Sequence, residues 1–576
     1  MILPPGEKIV ETKKCRLSGK EFFVTDKDLE FYNKISPIFG WKKYSIPSPT
    51  LCPVERARRR LAFRNPKTIY LRKSSFSDKT IFSQHSIEKP YPVYENEIYY
   101  GNDWSPLEYG ANFTTESDFL SQFQKLHNQV PHYARPVDNL INSDYCSSST
   151  RLKDCYLCFN GGDSEKILYS LWFKRCFWCI DCTLMFDSRQ CFMCVDIENC
   201  DTCLYIQNSH HCNECFYCDE CSGCQNCFSC SNLHNKKYCI ANQQYSREDY
   251  FRKVSDITKN TPNVQMLFQQ WSIHQPKKHL HLLKAENCIG DLLVNAKDSF
   301  YCFECSDVQG LRYCDTIKTG HDCMDISSFG WNPAWSYECA SLGHNANHIL
   351  FCYQVLQDVK DVYYSSFCQT VSDCFWCVWF HSHEHHCILN RPYSVSEYEQ
   401  LCWKIVDHMR STGEWWEFFP HELSPFGYNE TVAQEYFPLS EEEVRSRGWN
   451  WYNAPEKTFE WDAFAPLSVS EYDEKTVWFE KAQKNIDTLL GGVIRCEVTG
   501  KPFKIIKQEL AFYIEHRLPI PNKHPDQRHA DRMALRNPRE LHERICPECQ
   551  KKMITTYGTD RAEKVVCEEC YRKLVY

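Results

Sequence analysis

The stretch ENCDTCLYIQNSHHCNECFYCDECSGCQNCFSCSNL, Glu198 to Leu233, decides the fold. Written in nines it follows, with few exceptions, the pattern x-[Asn/Asp]-Cys-x-x-Cys-x-x-x. Two cysteine ladders run through this region and beyond it at nine-residue steps or multiples of them. One is Cys146, Cys155, Cys182, Cys191, Cys200, Cys218 and Cys227; the other is Cys158, Cys176, Cys194, Cys203, Cys212, Cys221, Cys230 and Cys239. Missing rungs such as Ser164, Phe173, Ser209, Ile167 and Met185 are small or apolar, as buried positions tend to be. A short fixed period implies a solenoid whose units bury their faces only by stacking. Nine extended residues span at most ~30 Å, too short a perimeter for two sheets ~10 Å apart. The expectation is therefore half a coil per nonapeptide, two strands and two turns in ~18 residues, with Cys203 stacked on Cys221. Asn and Asp before the cysteines suit the turns.

The solenoid occurs twice. NKKYCIANQQYSREDY (Asn235–Tyr250) resembles EHHCILNRPYSVSEY (Glu384–Tyr398), and each leads into a helix opened by a capping box, Ser246 with Asp249 and Ser394 with Glu397. The second solenoid, about 281–390, keeps fewer rungs: Cys302, Cys305, Cys314, Cys323, Cys368, Cys374 and Cys377. Its irregularity from Gly330 to Asn347 points to an inserted loop.

A second duplication flanks the first. At an offset of 472, HPDQRHADRMALRNP (His524–Pro538) aligns with CPVERARRRLAFRNP (Cys52–Pro66). Upstream, Cys15-Arg-Leu-Ser18-Gly19-Lys20 parallels Cys496-Glu-Val-Thr499-Gly500-Lys501. The same offset carries Cys546, Cys549, Cys567 and Cys570 onto Ser74, Ser77, Glu95 and Ile98. The C-terminal copy keeps two C-x-x-C pairs at the spacing of a zinc ribbon, and the N-terminal copy has lost all four ligands.

The expected fold class is mainly β with α: two cysteine-ladder solenoids flanked by duplicated zinc-ribbon-like α+β modules. The divisions are 1–105, a degenerate ribbon module; 140–260, solenoid and helix; 281–412, second solenoid and helix; 413–489, an aromatic segment and linker helix; and 490–576, the zinc-ribbon module. The aromatic segment, Gly413–Asn453, is expected to cap the second solenoid or to line a groove. Ser440 with Glu443 starts one short helix in it, and a longer helix is expected near 470–489.

Length supports several domains, and 15% aromatic residues argue against disorder. A formal charge of −9 excludes a general nucleic-acid coat but not a local basic patch. No stretch reads as a membrane span or signal peptide, so a cytoplasmic location is expected, with the 37 cysteines as reduced thiols and metal ligands.

CRLSGKEFFVTDKDLEFYNKISP, SPFGYNETVAQEYFPL and the terminal ribbon together resemble an uncharacterised cysteine-rich zinc-ribbon family common in candidate-phyla bacteria. Some of its members carry the label CaiB/BaiF, a CoA-transferase family, whose chemistry has no counterpart in these residues. The resemblance implies zinc sites in both modules. This chain departs from it at Cys52-Pro-Val-Glu55, where the family has Cys-Pro-x-Cys, and at Ser74, Ser77 and Glu95.

For chemistry, Cys546, Cys549, Cys567 and Cys570 are the expected ligands of one structural Zn²⁺, a closed site with no open position for water. Weaker metal candidates are Cys15 with Cys52 and Glu55, and the histidines His383 and His385. Arg56, Arg58, Arg59, Arg60 and Arg64, echoed by Arg528, Arg532 and Arg536, form basic helices suited to phosphate, or else to acidic partners within the protein. No Walker A loop, dinucleotide fingerprint, G-x-S-x-G or H-E-x-x-H is present. The reading is a non-enzymatic interaction or scaffold protein, binding nucleic acid, a ribonucleoprotein or another protein. The alternative is a metal- or thiol-dependent enzyme or metal store built on the solenoid cysteines and histidines.

Overall fold

In the computed structural model, which describes residues 2–260, 264–321, 323–327, 333–380, 383–455 and 486–576, the chain is mainly β with helices at the junctions. The first solenoid is built on a three-residue rule. From Cys146 to Cys239 every third side chain points inward, and the buried column is mostly thiol, with Leu152, Ile167, Phe173, Met185, Ile197 and Ile206 interspersed. The residue before an inward position adopts a left-handed backbone, as at Asp154, Asp181, Asn199, His211, Glu214, Tyr217 and Glu220. Each such residue turns the chain through a corner. The Asn and Asp that precede the cysteines are there because they tolerate this region better than most side chains.

Successive strands pair in parallel at a shift of twelve residues, Cys215 with Cys227 and Cys227 with Cys239. One coil is therefore four triplets, a four-sided tube with sides of about 10 Å. This corrects the expectation of half a coil per nonapeptide. Cys203 stacks over Cys215, not Cys221, as the bridge between Leu204 and Phe216 requires. The nine-residue step has its own physical content. Each thiol can donate to the carbonyl nine residues on, in the next coil: Cys203 to Cys212 (3.5 Å), Cys212 to Cys221 (3.6 Å) and Cys221 to Cys230 (3.8 Å). Where serine replaces cysteine the bonds shift. The Ser188 hydroxyl donates to the Phe186 carbonyl (2.7 Å) and accepts from the Cys200 N–H (3.1 Å).

The second solenoid follows the same rule less strictly. Its parallel register is eleven residues at Leu282–Leu293, twelve at Ser306–Lys318 and thirteen at His344–Gln357 and Ser372–His385. The loop expected between Gly330 and Asn347 is not seen among the described residues. Ala334–Ala340 and His344–Leu350 are strands within the sheet, and the extra length is absorbed one residue at a time by longer coils; residues 328–332 lie outside the described residues.

Both solenoids end alike. A short antiparallel strand folds back, Gln243–Gln244 in one and Arg391–Pro392 in the other. An asparagine side chain then supplies the hydrogen bonds of the missing next coil: Asn242 to the backbone of Ser231 (both 2.9 Å), and Asn390 to that of Val378 (both 2.8 Å). The helices Arg247–Asn260 and Val395–Thr412 follow, opened by Ser246 and Ser394 as the sequence indicates.

The module duplication is reproduced element by element at the offset of 472. The hairpins Tyr70–Lys73/Thr80–Ser83 and His542–Ile545/Lys552–Thr555 correspond, as do the strands Val93–Tyr94 and Val565–Val566. The arginine helices Pro53–Leu61 and Pro525–Ala534 correspond too. Each module sits at the doorway of a solenoid. Val93–Tyr94 pairs with His132–Tyr133 ahead of the first, and Val565–Val566 with Lys277–Lys278 ahead of the second.

The aromatic segment lies along a flank. Trp415, Phe418 and Phe419 fill the space between the first module (Phe63) and rings on successive coils of the second solenoid, Tyr353 and Tyr364. Glu441–Ser446 is the short helix opened by Ser440. Of the helix expected near 470–489, only Ile486–Gly491 falls within the described residues.

Because the ladder thiols are buried and burial raises Cys158, Cys182 and Cys194 well above the ordinary thiol range, they should resist alkylation. Mass-spectrometric mapping after brief treatment of the metal-free native protein should find modification first at the partly exposed Cys288, Cys549 and Cys567. Cys146–Cys239 should remain unmodified until denaturation.

Candidate metal centre and the arginine helices

Four tight turns of one design occur in the protein, two per module. In each, the first residue's N–H donates to the carbonyl five residues on, and the fifth residue's N–H returns to the first residue's carbonyl. The four are Cys15 with Gly19 and Lys20, Ser74 with Asp78 and Lys79, Cys496 with Gly500 and Lys501, and Cys546 with Gln550 and Lys551. The fifth residue is left-handed every time, at φ 68, 63, 68 and 59°. Facing each turn is the N-cap of a helix: Cys52, Glu95, His524 and Cys567 respectively.

Only the last of the four carries a complete soft ligand set. The sulfurs of Cys546, Cys549, Cys567 and Cys570 lie within 4.8 Å of one another, with Cys549 and Cys567 3.6 Å apart. Burial pushes the Cys546 thiol up, but N–H donors from Cys567, Cys549 and Glu548 outweigh it and bring it down to about 6. A tetrahedron of four thiolates is the arrangement of a closed structural metal site.

The other three turns are closed by hydrogen bonds or packing. The Ser74 hydroxyl donates to the Glu95 carboxylate. In the Cys15–Cys52 site, Ser18 lies 3.9 Å from the Cys52 sulfur, while the Glu55 carboxylate faces Arg58 at 2.7 Å. In the Cys496 site, His524 Nδ1 accepts the Asp526 N–H at 3.1 Å. Among the described residues, the four C-terminal cysteines are the one group of three or more His, Cys, Asp or Glu side chains converging on a metal-sized space. Cys15, Cys52 and Glu55 do not converge in this way. His383 and His385 are exposed, and His385 Nδ1 contacts the Ser372 hydroxyl at 2.7 Å.

The arginine helices are not surface features. The first helix grips the second solenoid. Arg56 Nε lies 2.6 Å from Asp325, and Arg59 Nη2 lies 2.9 Å from Glu338. Arg60 lies 3.5 Å from Asp325 and 3.7 Å from Glu338. Arg58 holds Glu55. Arg64 is so enclosed that burial lowers it to about 10.

The C-terminal helix grips the first solenoid. Arg528 and Arg532 both close on Asp181, the latter at 2.7 Å. Beyond the helix, Arg536 and Arg539 reach the second solenoid instead and share Glu304, the latter at 2.8 Å. The correspondence extends to the aromatic neighbours, with Arg56 5.3 Å from the Tyr313 ring and Arg528 4.6 Å from Tyr169. Asp181 and Asp325 are both left-handed corner residues of the tube. The surface of Arg56, Arg58, Arg59, Arg60, Arg64, Arg528, Arg532 and Arg536 expected to meet phosphate is thus largely turned inward, most of these side chains onto the solenoids and Arg58 onto Glu55 and Phe437.

Sequence reading missed these carboxylates, since nothing distinguishes Asp181 or Asp325 from other corner aspartates. It also missed two internal polar sites. His85, His127 and His132 are buried together, the ring centroids of His127 and His132 4.5 Å apart, and burial holds all three below the ordinary imidazole range. His281 lies between Glu220 (2.6 Å) and Asp291 (3.0 Å), beside a cavity of about 30 Å³ lined by Asp196, Glu304, Arg536 and Tyr557. Water is the molecule that fits such a volume.

No protein-family model matches the chain, and no curated protein is significantly similar to it. No helix among the described residues is long and apolar enough to cross a membrane.

Asp325→Ala should lower stability by about 3–5 kcal/mol, because the buried Arg56 and Arg60 would keep only the more distant Glu338, at 4.0 and 3.7 Å. Asp181→Ala should do the same through Arg528 and Arg532. Chemical denaturation measures both, and a cost under ~1 kcal/mol would show that these pairs are not what hold the modules on.

Glu304 gives a pH signature. Burial alone would raise it, but Arg536 and Arg539 outweigh burial and depress it from 4.5 to about 2. Its contribution, on the order of 3 kcal/mol, is then fully present above pH 4.5 and is lost as pH falls through 2. The melting-temperature gap between wild type and Glu304→Gln should be open at pH 7 and close across that window.

Proposed function

We propose that this protein is a non-enzymatic, zinc-stabilised interaction scaffold. The observation that carries the reading is the closed four-cysteine cluster, a site that has ligands for a metal and no position for a substrate. Support comes from the rest of the thiol inventory. The cysteines from Cys146 to Cys239 are sealed in a packed column, where a thiol fills space and can donate to a carbonyl, away from any reagent or metal in solvent. The arginine helices are used up inside the protein, so binding of a nucleic acid, ribonucleoprotein or protein partner falls to other surfaces.

An all-thiolate tetrahedron fits zinc or iron, and zinc is the assignment for a structural ribbon. Elemental analysis of the full-length protein should give about one zinc per chain. Cys546→Ser and Cys567→Ser should each abolish it and lower the melting temperature, while circular dichroism retains the solenoid signal. Iron in place of zinc, or several metal equivalents per chain that survive these substitutions, would overturn the reading in favour of a redox or metal-storing protein.

A further inference from the structure

The first module carries an exposed side chain that folding does not explain. Ile38–Phe39 and Lys42–Lys43 form a two-residue hairpin in which Ile38 faces Lys43 and Phe39 faces Lys42. The turn residues Gly40 and Trp41 both have positive φ, 51 and 67°. Tight hairpins of this kind favour Gly or Asn at such positions, and a bulky residue there is strained. Trp41 is nevertheless 99% exposed. The hairpin itself is firmly rooted, since Phe39 packs on Tyr44, Tyr363 and Phe375. A strained, rigidly held and fully exposed indole marks a contact site.

The surroundings say what kind of contact. Lys42 Nζ lies 5.9 Å from the ring of Trp403, itself 46% exposed on the helix Val395–Thr412, and 3.8 Å from Asp407. The exposed face of that helix also presents Lys404 and Arg410. Lys43 is exposed and donates to Asn33 at 3.0 Å. Lys42 and Lys43 flank Trp41 in the chain, and the helix of Trp403 exposes Lys404 and Arg410 alongside Glu399 and Asp407, a local excess of cations on a chain whose net charge is −9.

We propose that this patch binds single-stranded nucleic acid, with bases stacked on Trp41 and Trp403 and phosphates against Lys42, Lys43 and Arg410. Alternating rings and cations suit a strand of flat bases joined by phosphates. A lipid surface calls instead for a continuous apolar tip, which Lys42, Lys43 and Asp407 interrupt. The proposal rests on the reading of the protein as a binding scaffold, but its test is independent of zinc.

Fluorescence anisotropy of a labelled oligouridylate should show binding by the full-length protein at low salt. Trp41→Gly should weaken it about tenfold, the loss of one stacked base, while zinc content is unchanged and the melting temperature is unchanged or higher because glycine suits the turn. Lys42→Gln with Lys43→Gln should lower the slope of log affinity against log salt by about 0.7 for each phosphate no longer neutralised. The proposal is overturned if wild type does not bind, if Trp41→Gly binds as tightly, or if the protein ignores the oligonucleotide but binds phosphatidylserine vesicles.

Discussion

Two buried aspartates hold this protein together. Asp325 receives Arg56 and Arg60 from the N-terminal module, and Asp181 receives Arg528 and Arg532 from the C-terminal one. Taking such charges out of water costs several kcal/mol per ion, and the attraction repays it only when geometry and further hydrogen bonds are good. Here added partners meet those conditions in part, while Arg60 Nη1 and Nη2 and Asp325 Oδ1 make no hydrogen bond. Glu338 backs up Arg56, Arg59 and Arg60, and the Tyr169 backbone carbonyl accepts from Arg532 at 2.9 Å. What the ion pairs supply is register rather than net attraction. A solenoid flank repeats every coil, and apolar contact alone would let a helix slide to the neighbouring coil. An arginine pair spaced one helical turn apart meets a buried corner aspartate on each tube, Asp325 or Asp181.

The tube in turn explains why the chain is so rich in cysteine. A corner every three residues and four corners per coil leave room inside for four short side chains per layer. Valine or leucine at every position would overfill the section, and alanine would leave voids. Cysteine is intermediate in size, is content when buried, and can still donate weakly to the carbonyl of the next coil. The second solenoid uses Val, Ile and Leu at many of the same positions and has coils of eleven to thirteen residues. Bulkier interiors and less regular coils go together in this chain.

The ladders, the double solenoid and the repeated modules were all legible in the sequence because each left identical residues at a constant spacing. The coil length was not. Inward positions recur every three residues, and any nine-residue ladder is in phase with that rule. The shift that separates coils, twelve, is carried by backbone pairing and not by a residue type. The four ribbon cysteines were legible for the same reason as the ladders. The arginines were visible, but their partners were not, because Asp181 and Asp325 carry the same signature as corner residues such as Asp154 and Asp187. Charge on a helix could be read from the sequence, whereas its direction toward the core depended on a tertiary arrangement in which each module crosses to the other solenoid.

That crossing also places the two modules in different surroundings. The N-terminal module is enclosed. Its helix meets Glu417 of the aromatic segment through Arg59 (3.2 Å), and Phe63 is packed by Tyr353, Phe418 and Phe419. The turn at Ser74 is closed by a hydrogen bond to Glu95. The C-terminal ribbon has a smaller core of its own: Met553, Tyr557, Val565, Val566 and Tyr571, besides its cysteines. A core of that size is below what usually holds a fold without help, and a metal tetrahedron is a common substitute.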